Sequence, residues 1–85
     1  MSFFLNEFTA DGTPFQSTGE DGTVMTFDTV EAAVEMAVWM LEGGVESLVD
    51  GEQPLVTVVG YTDRDEEIEV RRVDNIDGLV RIHTV

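Results

Sequence analysis

Apolar and polar positions change period several times along the chain, and each change marks an element. From Phe3 to Thr9 aromatic and polar residues alternate loosely, which predicts a first strand. Asp11-Gly12-Thr13-Pro14 breaks it as a turn, and Phe15–Thr18 predicts a short strand pairing back. Glu20-Asp21-Gly22 is a second turn signal, with Asp-Gly the usual tight-hairpin dipeptide, and Thr23–Phe27 predicts another strand. The period then lengthens. Val30, Ala33, Val34, Ala37, Met40 and Leu41 fall on one side of a helical wheel drawn at about 100° per residue. Asp28-Thr29-Val30-Glu31 has the capping-box spacing with Asp as the cap, and Gly43-Gly44 is a C-terminal stop. A helix is therefore predicted over 28–42, with 45–49 able to add one further turn.

Strand periodicity returns after Pro54. Leu55–Tyr61 is nearly all β-formers and apolar on both faces at its centre, as a central strand requires. Thr62–Asp65 is a turn. Glu66–Val73 alternates, with Ile68 and Val70 facing one way and Glu67, Glu69 and Arg71 the other. Asp74–Gly78 turns the chain again, and Leu79–Val85 closes it with Val80 and Ile82 inward and Arg81 and His83 outward. The order β(β)β-α-βββ predicts an α+β fold. It is a single domain over residues 1–85, with a small antiparallel sheet of four to five strands and one amphipathic helix packed on one face.

Composition changes this picture chiefly through charge. Eighteen acidic residues stand against four arginines and no lysine, a formal net charge of −14. Twelve of the acids lie in residues 1–63, which contain no Lys or Arg; residues 64–85 hold the other six and all four arginines. Such a balance repels nucleic acid and anionic lipid as direct partners and attracts basic protein surfaces. An apolar content of 42% with two prolines argues for a folded chain rather than a disordered acidic tail. The absence of Cys removes disulfides, thiolate metal sites and thiol chemistry. No apolar run approaches the roughly 18 residues of a membrane span. Met1–Leu5 has no basic flank and meets Asn6-Glu7 at once, so no signal peptide is expected and the expected location is the cytoplasm.

The helix carries the main candidate site. Asp28, Glu31, Glu35 and Glu42 fall within about 60° of one another opposite the apolar side. Glu46 joins them if the helix continues, and Trp39 stands at the edge of the stripe. Glu31–Glu35 and Glu42–Glu46 are like-charge pairs, each unfavourable by about 0.2–0.5 kcal/mol. Only Asp28 and Glu31 are offset by the positive helix N-terminus. The stripe is either the solvated face of a chain acidic throughout or a binding face compensated by a basic partner. Trp39 divides the same way, between a core position over a sheet edge and an exposed interface anchor.

A second acidic run comprises Asp63, Asp65, Glu67 and Glu69. It fails as a calcium loop, because the sixth position from Asp63 is Ile68 where an EF-hand requires Gly. Arg64, Arg71 and Arg72 are expected to pair with neighbouring acids. His83 is the lone histidine and nothing suggests groups to make a triad with it and Ser47. Gly19-Glu20-Asp21-Gly22 lacks the spacing and the Lys of a phosphate loop. Glu46-Ser47-Leu48 resembles the Asp-Ser-Leu attachment site of acyl carrier proteins over three residues, with Glu in place of Asp, but those are all-helical and Leu55–Val85 is strongly β. No catalytic residue, cofactor or metal site is predicted, and the chain is expected not to be an enzyme.

In character the chain resembles the small phage-encoded anti-CRISPR and anti-restriction proteins: under 100 residues, strongly acidic and without an enzyme motif. The residues behind the likeness are the helix stripe and the run from Asp63 to Glu69; it is a likeness of type and covers no diagnostic motif. It implies a non-enzymatic, nucleic-acid-mimicking inhibitor. Such a protein would occupy the basic groove of a host nuclease or CRISPR complex in the host cytoplasm. Two other classes stand beside it. One is a halo-adapted acidic domain of accessory role, which absence of Lys with Arg retained would suit. The other is a structural protein that forms a homodimer through an edge strand such as Phe3–Thr9.

Overall fold

The computed structural model describes residues 2–19, 21–42 and 53–85. Its elements are β1 (Phe3–Phe8), β2 (Pro14–Gln16), β3 (Thr26–Phe27), α1 (Val30–Glu42), β4 (Leu55–Tyr61), β5 (Glu67–Ile76) and β6 (Leu79–Thr84). All the strands pair antiparallel in one sheet of order β2-β1-β4-β5-β6, and β3 also pairs β1. The α+β architecture, with one helix among the described residues on a small antiparallel sheet, is as the sequence predicts. Among the described residues the count is six rather than four to five, because β2 and β3 are separate short strands that share one edge of β1. The further turn predicted for 45–49, together with Glu46, lies outside the described residues.

β1 is therefore an interior strand, with β4 on one side and β2 and β3 on the other. The edge expected at Phe3–Thr9 does not exist. β4 is central, as its two-sided apolar pattern predicts, and Val56 to Gly60 are all buried. Cross-strand partners share a face, so Leu5 with Val58, and Val56 with Val73, point the same way. That face meets the helix. Its core comprises Phe3, Leu5, Val56, Val58 and Val73 from the sheet and Ala33, Ala37, Met40 and Leu41 from α1, with Val30 and Val34 packed at the margin.

The helix begins later than predicted. Thr29, not Asp28, is the N-cap: its hydroxyl accepts the amide of Ala32 at 3.1 Å, and its carbonyl accepts that of Ala33. Asp28 and Glu31 do not form a capping box, because the third residue past the cap is Ala32. The chain leaves β3 at the Phe3 end of the sheet, where Phe27 pairs Phe3. It finishes near Asn75, whose side-chain amide donates to the carbonyl of Leu41 at 2.7 Å.

Two irregularities in β5 change which side chains share a face. A bulge pairs Val58 with Arg71 but Val59 with Glu69, leaving Val70 extra. The predicted row of Glu67, Glu69 and Arg71 is thereby broken. Arg71 joins the helix-side face with Val73, while Glu67 and Glu69 stay on the opposite face. β5 also runs on to Ile76, so the turn is Asp77-Gly78 alone rather than 74–78. Both residues have positive φ, 55° and 83°, the two-residue hairpin conformation that Asp-Gly favours. Ile82 faces the helix side through its pairing with Val73 but remains 54% exposed at the sheet edge, where Val80 is the β6 residue that packs against the core.

Candidate functional site

The outer face of α1 presents the predicted stripe to solvent. Asp28, Glu31, Glu35 and Glu42 are all exposed, and the last turn holds no basic residue to offset the negative helix end. Among the described residues the ion pairs are Arg72–Glu69 at 3.1 Å and His83–Asp74 at 3.0 Å, and neither involves the helix. Trp39 stands at the edge of this carboxylate surface and is 61% exposed. Trp39 is thus exposed rather than a core position. The apolar demand of the sheet face is met by Ala33, Ala37, Met40 and Leu41 without it.

The second acidic run is divided by the strand it enters. Asp63 and Asp65 sit exposed in the β4–β5 turn, with Asp65 at a φ of 59° closing the hairpin. That turn lies at the Gly60–Ile68 end of the sheet, the end from which the helix starts. Glu67 and Glu69 pair Tyr61 and Val59 and so face away from the helix, where Glu69 is held by Arg72. The two runs therefore do not merge into one surface. Asp63 and Asp65 lie at the same end as Asp28, whereas Glu67 and Glu69 belong to the opposite face.

On that opposite face His83 is not simply exposed. Its Nε2 lies 3.0 Å from Asp74 Oδ2, and the pair borders a cleft of about 530 Å³ lined by Glu69, Arg72 and Val85. Asp74 Oδ1 is buried without a hydrogen-bond partner among the described residues. Among the described residues that line the cleft, none carries a hydroxyl or thiol. Among the described residues, no three His, Asp or Glu side chains stand together as a metal site.

A second concavity was not anticipated. Between α1 and the β2–β3 connection lies a cavity of about 450 Å³ bounded by Met36, Trp39 and Met40 from the helix, Met25 and Thr18 from the connection, and Glu7 from β1. Glu7 is buried, and its Oε2 accepts the hydroxyl of the buried Ser17 at 2.8 Å. The signal was present in the sequence: Phe3, Leu5 and Glu7 share one strand phase, so an inward β1 brings the carboxylate with it. The methionines and Ser17 come together only through the tertiary fold.

No protein-family model, no curated protein and no solved structure matches this chain.

Proposed function

We propose that this chain is a non-enzymatic protein-binding inhibitor whose acidic helix face substitutes for nucleic acid in the basic groove of a host defence nuclease or CRISPR complex. The observation that carries the reading is Trp39, 61% exposed among carboxylates that no basic residue of the helix offsets. Leaving a large indole in water and like charges one turn apart both act against the isolated chain. A basic groove relieves both at once, and Trp is a residue type enriched at interface hot spots.

The dimensions suit the task. Glu31 to Glu42 spans about 16 Å at 1.5 Å per residue, and carboxylates one turn apart stand about 6 Å from each other. That span covers several phosphates of a strand rising about 3.4 Å per nucleotide. Asp28 and the hairpin acids Asp63 and Asp65 extend the negative surface at one end. Net charge steers such a protein towards a basic partner, so rim carboxylates act mainly on the association rate. The site of action under this reading is the cytoplasm of the host cell.

The test is charge reversal with competition, against basic-groove nucleases and their guide complexes. Glu35→Lys with Glu42→Lys is expected to preserve the fold and weaken binding at least tenfold, about 1.4 kcal/mol. Trp39→Ala is expected to raise the off-rate. The partner should be unable to hold this protein and its DNA or RNA together. A stable ternary complex, or binding indifferent to both reversals, would defeat the proposal.

A halo-adapted domain is the second reading, favoured by acids exposed on every side: Asp11 and Asp21 in loops, Asp63 and Asp65 in a hairpin, Glu67 on the far face.

A further inference from the structure

The two edges of the sheet are built differently. At one, β2 has three residues and begins at Pro14, and β3 has two, so little backbone is offered for pairing. At the other, β6 runs six residues from Leu79 to Thr84 without a proline, and among the described residues it pairs only with β5. We infer that two copies of this chain pair through β6, antiparallel and about a two-fold axis, so that one sheet continues into the other. The contact does not depend on the docking of the acidic helix.

The β5–β6 hairpin fixes what this edge presents. Ile76 and Leu79 flank the two-residue turn Asp77-Gly78 and exchange main-chain bonds, and the pairing alternates from there. The N–H and C=O groups of Leu79, Arg81 and His83 therefore turn towards β5, and those of Val80, Ile82 and Thr84 turn outwards. Edge strands are commonly blunted by a proline, a bulge or an inward-pointing charge. β6 has none of these: its register with β5 is unbroken, and Val80, Ile82 and Thr84 on the helix-side face are all uncharged.

Charge and register point to a second copy as the occupant. Like copies repel through −14 each, but least at this end: residues 64–85 set six acids against all four arginines, and β6 itself carries Arg81 and no acid. A two-fold axis normal to the sheet pairs residues of the same face, and two registers use most of the strand. Centred on Arg81, the axis sets two guanidinium groups directly opposite each other. Centred on Ile82, it sets Ile82 against the partner's Ile82, Val80 against the partner's Thr84, and Arg81 against the partner's His83. Leu79 then meets the partner's Val85, because the two lie three residues either side of Ile82. Leu79, Ile82 and Val85 are 62%, 54% and 69% exposed, and this second register gives each of them an apolar neighbour. The strand is thus complementary to its own reverse.

The test is sedimentation equilibrium of the whole chain at about 0.15 M and about 1 M NaCl, joined to cross-linking by single introduced cysteines. A reversible monomer–dimer equilibrium is expected, tighter at the higher salt because screening removes the repulsion. Thr84→Pro removes an outward N–H and leaves the pairing with β5 alone, so it should weaken the dimer at least about tenfold with unchanged circular dichroism. Ile82→Lys, which sets two ammonium groups face to face on the axis, should do the same; if it prevents folding, Thr84→Pro carries the test. The natural sequence has no Cys, so Ile82→Cys can form a disulfide only between subunits. Its Cα atoms would stand about 5.5 Å apart, within disulfide reach, and oxidation should give a covalent dimer well before Arg81→Cys or the helix control Glu35→Cys. A chain monomeric at about 1 mM in both salts, a dimer indifferent to Thr84→Pro, or open-ended oligomers in place of a closed pair would each overturn the assignment. Arg81→Cys linking as fast as Ile82→Cys would overturn the register.

Discussion

Asn75 Nδ2 donates to the main-chain carbonyl of Leu41 at 2.7 Å, while Asn75 Oδ1 accepts the amide of Gly78 at 3.0 Å. One side chain thus ties the last turn of α1 to the β5–β6 hairpin. It satisfies one of the four carbonyls that a helix end leaves without an internal partner. Asn75→Asp keeps the acceptor for Gly78 but removes the donor and sets a negative charge against the negative helix end. Denaturant unfolding should show a loss of about 1–3 kcal/mol, and an unchanged midpoint would contradict the role assigned to this contact.

Gly60 lies against Phe3. A Cβ built at Gly60 would stand 2.9 Å from Cε1 of that ring, closer than carbon atoms tolerate, and both belong to the buried centre of the sheet. Gly60→Ala should therefore destabilise by about 1–3 kcal/mol through overpacking. Phe3→Leu should recover part of that in the double variant, giving a favourable coupling in a thermodynamic cycle. Additive losses would show that the ring is not the obstacle.

Leu41 and Trp39 lie two residues apart on α1 and face opposite demands. Leu41 is fully buried, so Leu41→Ala should cost about 2–5 kcal/mol. Trp39→Ala, at a mostly exposed position, should change stability by no more than about 0.5 kcal/mol. Equal losses on chemical denaturation would mean that the helix is seated in a different rotation.

Acid should first stabilise this protein and then destabilise it. Falling pH protonates carboxylates and reduces the −14 charge, which relieves self-repulsion. Asp11 is held below the ordinary carboxylate range by the hydroxyl of Thr9 and then the amide of Thr13, and Asp21 by the hydroxyl and amide of Thr23. Lowered folded-state pKa values contribute stability above the unfolded value, lost as pH falls through the folded one. Melting temperatures at fixed ionic strength should rise from pH 7 to about 4.5 and fall below about 3.5. Asp11→Asn with Asp21→Asn should soften that fall, by a small amount because both side chains are in water. A steady decline from pH 7 would contradict the charge argument.

Salt separates the two functional readings. Screening should stabilise the protein in either case, since the Debye length shrinks to about 3 Å at 1 M. An inhibitor acting in an ordinary cytoplasm must be folded at about 0.1 M salt, whereas a halo-adapted domain should fold only at molar concentrations. Circular dichroism across that range decides: an unfolded spectrum at the low end would remove the inhibitor proposal.

Local pattern was sufficient wherever one residue period decided the outcome. The apolar arc from Val30 to Leu41, the two-sided apolar run of β4 and the antiparallel α+β class all follow from spacings of 3.6 and 2 residues along the chain. The exposed stripe of Asp28, Glu31, Glu35 and Glu42 follows too, because a helix that buries one face must present the other. Where neighbours in space compete, sequence alone did not choose. Thr29 took the cap from Asp28, and the bulge at Val70 moved Arg71 away from Glu69. Both depend on how α1 and β4 are seated, which no short window contains. Trp39 was left largely in water because Ala33, Ala37, Met40 and Leu41 already filled the helix–sheet contact. The cavity beneath it joins Glu7 to Met25, Met36 and Met40 across three elements, a proximity set by chain crossing rather than by spacing.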